Sequence, residues 1–295
     1  MGFPRFKAKR ATVPSVRFTT GAMRVGLDCE HVILPRLGMI KTHESTRNLE
    51  RKLVAGTARI LSATVRFDRG RWFVAFTVEA TRAARTPRLP DAVVGVDLGV
   101  THLAVLSDGR MIDHPRHYDA SRRRLARASR TVSRRQGPDR RTGQRPSHRW
   151  LRADARRNKV HHKVAQQRRD GIHKLTTALA REYGTIVVED LHVAGMVRNR
   201  RLARQISDAG FGEIRRQLAY KTGWNGGRLV VANRWYPSSK TCSRCGMVKP
   251  KLSLAQRTYR CTECGLSIDR DHNAARNLAA LAAVVAGSCS GTHVQ

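Results

Sequence analysis

The chain has 295 residues, of which 57 are Lys or Arg and 22 are Asp or Glu, so its formal net charge is +35. Hydrophobic residues make up 40% of the sequence, which is enough for a buried core and excludes a disordered chain. So large a positive charge is tolerated only with a polyanion nearby, and nucleic acid is the usual one. The sequence has no run of 18 apolar residues and no N-terminal signal pattern, so we expect no membrane partner.

Residues 1–85 have the pattern of a small β domain. Segments in which apolar and polar residues alternate predict strands at residues 16–20, 31–34 and 63–67. The turn sequence Asp68-Arg69-Gly70-Arg71 predicts a hairpin into a further strand at 72–78. Many short strands with Gly-containing turns indicate a small barrel or a curled sheet. The Pro- and Arg-rich residues 81–91 are expected to form a linker.

Residues 92–236, together with 266–287, predict an α/β domain. Its predicted strands are 93–97, 103–106, 110–112, 185–190 and 228–232. Its predicted helices are 119–136, 147–182, 208–224 and 273–285. A basic loop is expected before the third helix, up to about residue 205. This order of elements predicts a mixed sheet flanked by helices.

The two central helices are strongly basic. From Arg122 to Lys174 the sequence has 19 Lys and Arg residues against three acids. A solvated helix face is the ordinary explanation of such a run, but this density of charge is hard to stabilise without phosphate groups. The predicted nucleic-acid-binding residues are Arg122, Arg123, Arg124, Arg134, Arg135, Arg168, Arg169 and Lys240.

Four cysteines near the C-terminus have the spacing of a zinc ribbon. They form two Cys-x2-Cys pairs, Cys242, Cys245, Cys261 and Cys264. Tetrahedral zinc takes two thiolates from each of two tight turns, and Gly246 and Gly265 suit those turns. The alternative is two reduced cysteine pairs without a metal. We expect structural Zn²⁺ in a ribbon at residues 237–265, inserted before the last helix.

The remaining cysteines, Cys29 and Cys289, are predicted to be free thiols. This usage fits a reducing compartment, so we expect a cytoplasmic protein associated with the nucleoid. Beside the last predicted strand lie Trp224, Trp235 and Tyr236. We expect these aromatic side chains to pack in the core, with stacking on nucleic-acid bases as the alternative.

Three acidic residues occupy comparable places in the predicted fold. Asp97 ends the first strand of the sheet, Glu189 ends the fourth, and Asp271 opens the last helix. Strand ends converge at one edge of a sheet, and clustered carboxylates persist there only with divalent cations between them. Carboxylates favour Mg²⁺ or Mn²⁺, and two such ions can clamp the attacking water and the leaving 3′-oxygen of a phosphodiester.

Each acid also has an ordinary explanation. Asp97 precedes Leu98-Gly99 and can be a turn residue. Glu189, next to Asp190, can be a helix cap or part of a surface pair, and Asp271 can cap its helix. The neighbouring Asp190 and Asp269 are interpreted as structural or supporting groups. The three acids together are stronger evidence for a catalytic site than any of them alone.

The acidic segments resemble the three RuvC motifs of the TnpB (OrfB) family, transposon-encoded relatives of compact CRISPR effector nucleases. The matching segments are 95–99 (GVDLG), 187–191 (VVEDL) and 269–275 (DRDHNAA), with further matches at 167–170, 237–242 and 3–7. The resemblance therefore covers nearly the whole chain, and its motif set is specific.

The resemblance implies an RNase H-like (RuvC) nuclease domain with an inserted zinc ribbon, preceded by a wedge-like β-barrel that holds a guide RNA. It implies an RNA-guided endonuclease that cleaves double-stranded DNA, with the sequence read mostly by base pairing. By the same resemblance, Asp97, Glu189 and Asp271 bind the catalytic Mg²⁺ or Mn²⁺.

In the family, the Phe3-Pro4-Arg5-Phe6 segment usually follows an N-terminal stretch with a wedge strand and a recognition part. Here it begins almost at Met1, so we expect a chain that is short at its N-terminus and impaired in guided cleavage. Two alternatives remain: a nucleic-acid-binding protein without cleavage activity, either truncated or domesticated, and a DNA transposase that acts by strand transfer.

Overall fold

A computed structural model describes residues 13–289 except 20–21, 69, 82, 140 and 254, with side chains described as far as residue 282. The predicted match at residues 3–7 and the side chain of Cys289 therefore lie outside the described residues. Two compact units are present. One contains the described residues up to Ala83 with Arg135–Lys159, and the other contains Ala84–Arg134 with the described residues from Val160 onward.

The first unit is built on two antiparallel sheets. Its elements are β1 (Ser15–Phe18), β2 (Arg24–Val25), β3 (His31–Leu34), β4 (Gly38–Lys41), α1 (Arg47–Val54), β5 (Ala58–Asp68) and β6 (Arg71–Ala80). The sheet orders are β1-β5-β6 and β2-β3-β4. The predicted hairpin is confirmed, because β5 and β6 pair antiparallel with Asp68 opposite Arg71.

The two sheets of this unit share one apolar core. Val32 and Leu34 of β3 are buried with Ala63 and Val65 of β5. Their spacing of two residues follows the strand period, which turns every second side chain toward the core. The described strands of this unit form two open sheets, and their pairing does not close a barrel.

The second unit is the predicted α/β domain. Its first elements are β7 (Leu89–Asp97), β8 (His102–Leu106), β9 (Met111–Asp113), α2 (His117–Ser133), α3 (His148–Glu182, in this unit from Val160) and β10 (Tyr183–Glu189). They are followed by α4 (Val193–Arg198), α5 (Ala203–Ala209), α6 (Phe211–Trp224), β11 (Arg228–Ala232), β12 (Thr258–Arg260), β13 (Ser267–Asp269) and α7 (Arg270–Cys289). Within the described part of the chain, no helix combines the length and apolar character that crossing a membrane requires.

The sheet of this unit is mixed, as predicted, with the order β11-β10-β7-β8-β9. β10 pairs parallel with both β7 and β11, whereas β8 pairs antiparallel with β7 and β9. Helices cover both faces. Ile186 and Val188 of β10 are buried in the cluster that includes α3, α5 and α6, whereas Val187 is buried against Leu278 and Ala282 of α7.

Three predicted segments differ from the structure. β7 begins at Leu89, inside the predicted linker. The predicted helix 208–224 is two helices separated by Gly210, and α4 lies within the predicted loop. Gly210 has φ +69°, and a Cβ there would lie 2.8 Å from Ile172 Cδ1, so this position requires a glycine and ends α5.

Candidate functional site

Asp97 and Glu189 end neighbouring parallel strands. Val96 of β7 is in register with Val188 of β10, so the next residues, the two acids, lie side by side at the carboxyl edge of the sheet. Side chains alternate along a strand, which puts both acids on the face that carries Val187. That face is covered by α7.

Helix α7 reaches the same edge because β7 has a glycine beneath it. A Cβ at Gly95 would lie 1.9 Å from the carbonyl oxygen of Ala275 and 2.6 Å from the backbone nitrogen of Ala279. Only a glycine allows this contact between strand and helix backbones. Asp271 lies one helical turn before Ala275, in the first turn of α7. The predicted convergence of the strand ends with the helix start is therefore what the backbone shows.

The electrostatics at Asp97 reflect this convergence. Burial raises the pKa of the Asp97 carboxyl well above its usual range, and the negative charges of Glu189 and Asp271 raise it further. Asp269 acts in the same direction, and the positive charge of Arg270 opposes it. An acid held among acids is a donor set that suits a hard divalent cation.

The carboxylate oxygens of Asp97, Glu189 and Asp271 do not lie around one common point in this structure. Within the described residues, the one group of three or more metal-ligating side chains with closely gathered donor atoms is the cysteine cluster. Asp271 instead contacts Arg270, with 3.3 Å between Nε and Oδ1, and Arg257, with 3.8 Å to Oδ2.

The two neighbouring acids have structural contacts, as expected. Asp269 accepts hydrogen bonds from the backbone N–H groups of Asp271, at 2.9 Å, and His272, at 3.0 Å, and so caps α7. Asp190 pairs with Arg215 and with Arg234, the latter at 2.7 Å. Hydrogen bonding to Arg215 lowers the pKa of Asp190, so this acid stays charged beside Glu189.

Ser238 connects Glu189 to the segment that leads into the cysteines. The Ser238 hydroxyl, which is only 4% exposed, donates a hydrogen bond to Glu189 Oε1. The Ser238 carbonyl oxygen accepts a hydrogen bond from Asn277 Nδ2 at 2.7 Å. Asn277 is buried in α7 and also donates to the carbonyl oxygen of Thr241 at 2.7 Å.

Asn273, buried in the same helix, holds the first cysteine turn. Its Nδ2 donates to the Thr241 carbonyl oxygen at 2.6 Å, and its Oδ1 accepts from the Ser243 backbone N–H at 3.0 Å. These two contacts flank Cys242. Asn273 lies two residues after Asp271, so one helix turn carries both a candidate catalytic acid and the attachment of the cysteine cluster.

The four cysteines are brought together, as the spacing predicts. All four sulfur atoms lie within 4.8 Å of one another, and the Cys242–Cys264 and Cys245–Cys261 pairs have Sγ–Sγ distances of 3.6 Å. Tetrahedral zinc with Zn–S bonds of about 2.3 Å puts its sulfur ligands about 3.8 Å apart. The cluster therefore has the arrangement of a structural zinc site.

The first cysteine turn favours a thiolate at Cys242 and not at Cys245. Burial acts to raise the pKa of the Cys242 thiol, but backbone N–H donors from Cys245 and Arg244 outweigh it and lower that pKa to about 7. A backbone N–H of Met247 acts to lower the pKa of the Cys245 thiol, but burial and hydrogen bonds to the other three cysteines raise it to about 12. Gly246 and Gly265 have φ values of +78° and +71°, which confirms the turns predicted at both glycines.

The predicted nucleic-acid-binding residues have different surroundings. Those exposed on helices or at their ends are Arg122, Arg123, Arg124, Arg134 and Arg169. Arg135 is half-buried, and Lys240 donates to the carbonyl oxygen of Pro250 at 3.2 Å. Arg168 is engaged with the buried Asp208, at 2.8 Å, so its charge is already paired within the fold. The exposed arginines are thus the ones available to phosphate groups.

Ser238, Asn273 and Asn277 were missed as site residues by the sequence analysis. Ser238 and Asn273 lie inside segments that carry the family resemblance, which was the available signal. Their partners depend on the packing of the cysteine segment against α7, which no local pattern reveals. The expected core packing of Trp235 is wrong, because its side chain is 85% exposed.

Two family models match the chain. The OrfB model of the IS605 type, described as "Probable transposase", matches residues 75–200, and "Cas12f1-like, TNB domain" matches residues 211–278. Among solved structures, a chain of the "Cryo-EM structure of the Cas12f1-sgRNA-target DNA complex" has a TM-score of 0.56 at 15% identity. This likeness covers 90% of the present chain and 59% of that chain, and it concerns the fold alone.

Curated relatives match over most of the chain. A "Putative RNA-guided DNA endonuclease" of Mycobacterium tuberculosis is 42% identical over 95% of this chain, which spans 61% of that relative's length. A protein of Streptomyces pristinaespiralis with the same description is 40% identical, over 99% of this chain and 68% of its own length. "Putative RNA-guided DNA endonuclease InsQ" of Escherichia coli is 35% identical, over 94% and 68%. The chain therefore belongs to the TnpB (OrfB) family of transposon-encoded proteins.

Proposed function

We propose that this chain is an RNA-guided DNA endonuclease that hydrolyses phosphodiester bonds at Asp97, Glu189 and Asp271. The observation that carries the proposal is the convergence of two strand ends and one helix start, where burial and then the charges of Glu189 and Asp271 raise the pKa of Asp97. The mixed sheet with helices on both faces supports an RNase H-like (RuvC) domain for residues 92–236 with 266–287.

The three acids would hold two Mg²⁺ or Mn²⁺ ions. Such ions activate a water molecule and stabilise the charge that develops on the leaving 3′-oxygen. The protein's own part is positioning: β7 and β10 fix Asp97 and Glu189, and the Asp269 cap fixes the first turn of α7. Ser238 orients the Glu189 carboxylate through its hydrogen bond.

The zinc ribbon, residues 237–265, is proposed to bind Zn²⁺ through its four cysteines. Its function in this account is structural. Asn273 and Asn277 attach the ribbon's entry segment to α7, so the metal stiffens the approach to Asp271.

The proposed partners are a guide RNA and double-stranded target DNA. The exposed arginines of α2 suit the phosphate backbone of a nucleic-acid duplex, which carries no sequence information itself. Residues 1–85 are proposed to be the wedge-like domain that holds the guide. The relatives, described as putative RNA-guided DNA endonucleases, support a guide RNA and DNA as the partners.

Separate Asp97→Ala and Glu189→Ala variants test the site. Each substitution is expected to abolish Mg²⁺-dependent DNA cleavage. The affinity of each variant for RNA should be unchanged, because neither acid lies on the basic helices. Undiminished cleavage by either variant would contradict the assignment.

The family description "Probable transposase" favours one second candidate, direct strand transfer. The same acids would serve both reactions, so the DNA products distinguish strand transfer from cleavage. Joined DNA strands formed by the purified protein would support strand transfer, whereas linear cleavage products support the endonuclease.

A further inference from the structure

Trp235 stands beside the acidic edge with its ring in solvent. Ala232, at the end of β11, is in register with Glu189, and Trp235 follows three residues later. The intervening turn is ordered: Asn233 Oδ1 accepts the Trp235 backbone N–H at 2.9 Å, and the Asn233 carbonyl oxygen accepts that of Tyr236 at 3.0 Å. The indole is therefore held outward at 85% exposure, while Tyr236 packs against the core.

Arg234 fixes this turn to the residue after Glu189. Its guanidinium donates to Asp190 Oδ2 at 2.7 Å and to the Asp190 carbonyl oxygen at 3.3 Å. Arg215 of α6 contacts the other oxygen of the same carboxylate. The backbone that carries the exposed ring is thus tied to the residue after Glu189.

A basic groove leads to the ring along the edge strand. A cleft of about 430 Å³ is lined by Trp235, Arg234, Arg215 and Asp190, the acid that pairs with both arginines. Arg215 and Val231 also line a second cleft of about 540 Å³ between α6 and β11, where the lining includes Arg216 and Arg228. Because β11 is the edge of the sheet, the two clefts, which share Arg215 and Val231, form an open track on the α6 side that ends at Asp190, the residue after Glu189.

An aromatic face at the end of an arginine-lined track is the arrangement that binds single-stranded nucleic acid. Two acids, Asp190 and Glu213, pair with three of the four arginines, so the track keeps a net positive charge for the phosphates, and the ring stacks on a base. A base inside a duplex is already stacked on both sides and cannot use the ring. A purely apolar ligand would not use four arginines.

We propose that Trp235 stacks on an unpaired base of the DNA strand being cut, with the groove along β11 holding the adjoining phosphates. The proposal rests on the proposed nuclease function and names the residue that positions the single strand at the acids. Trp235 is a positioning residue, since its ring contacts a base and not the reacting phosphate.

The test uses full-length protein carrying Asp97→Asn, which prevents cleavage, and a fluorescent single-stranded 12-mer of mixed sequence. Adding Trp235→Ala should weaken binding by about tenfold, and Trp235→Phe should restore most of it, as expected for stacking. The matched control is Trp224→Ala. This tryptophan is 46% exposed and precedes β11, at the opposite end of the strand, so its loss should leave the affinity unchanged.

Affinity of the Trp235→Ala variant within twofold of its parent would overturn the proposal, as would equal losses for single strand and matching duplex. If the native protein binds the single strand through Trp235 but shows no guided cleavage, the proposed nuclease function is contradicted and the proposed binding of a base by Trp235 is not. Normal melting temperatures for both tryptophan variants would exclude misfolding as the cause.

Discussion

The hydroxyl of Ser238 donates a hydrogen bond to the carboxylate of Glu189, and this contact joins the cysteine-bearing segment to the acidic edge of the sheet. Asn277 holds the Ser238 carbonyl oxygen at the same time. Because this hydrogen bond orients the Glu189 carboxylate before a cation binds, the cation does not have to order that side chain.

Replacing Ser238 by Ala should therefore weaken the response to Mg²⁺. Loss of such a supporting hydrogen bond typically costs about 10- to 100-fold in metal affinity or activity. We expect a higher half-saturating Mg²⁺ concentration for cleavage and a smaller Mg²⁺-induced rise in melting temperature. Ser239→Ala is the matched control, and equal Mg²⁺ responses of the two variants would contradict the role of Ser238.

Asp97→Asn should stabilise the metal-free protein at neutral pH. The folded-state pKa of Asp97 is raised, so its protonated carboxyl favours folding below the unfolded pKa of about 4, and this stability is lost as pH rises through the folded pKa. The melting temperature of the variant should exceed that of the native protein at pH 7.5, by about 2–4 °C for each kcal/mol of repulsion removed. The melting temperatures of the variant and of the native protein should converge at about pH 4.

The matched control for this effect is Asp190→Asn. Pairing with Arg215 and Arg234 lowers the pKa of Asp190, so removing its charge should lower the melting temperature at neutral pH. Mg²⁺ should narrow the gap between Asp97→Asn and the native protein, because cations bind only the native acids. A gap independent of both pH and Mg²⁺ would contradict the acidic cluster.

Cys242→Ser and Cys261→Ser should each reduce bound zinc and also lower DNA cleavage. The reason is the Asn273 and Asn277 clamp, through which the cysteine turn holds the helix of Asp271. Elemental analysis and cleavage rates of the same preparations provide the measurement. Cys29→Ser, outside the cluster, should change neither quantity. If either variant lost its zinc but cleaved DNA at the full rate, the ribbon would have no part in positioning Asp271.

Gly95→Ala should displace α7 and reduce both stability and cleavage. The added Cβ would lie 1.9 Å from the Ala275 carbonyl oxygen, a backbone atom that moves only with its helix. Overpacking of this kind costs about 1–3 kcal/mol or more, measurable by chemical denaturation. Gly212→Ala on α6, where a Cβ has nothing within 4 Å, should instead be neutral or stabilising.

The mixed sheet and the positions of Asp97, Glu189 and Asp271 at two strand ends and a helix start could be predicted because these are local patterns. The break between α5 and α6 at Gly210 could not be predicted, since it depends on a left-handed glycine in an otherwise helical sequence. The exposure of Trp235 also escaped prediction. It results from a turn built by Asn233, and hydrophobicity alone suggests burial.

The central claim is guided cleavage at the acidic edge. The most direct measurement is to copurify the full chain with its RNA and expose it to plasmids that do or do not match the guide, in Mg²⁺. The account predicts cutting of the matched plasmid alone, and none when Asp97 is replaced by Ala. Matched-plasmid cutting that persists in the Asp97→Ala protein, or no matched cutting by a native protein that holds its RNA, would contradict it.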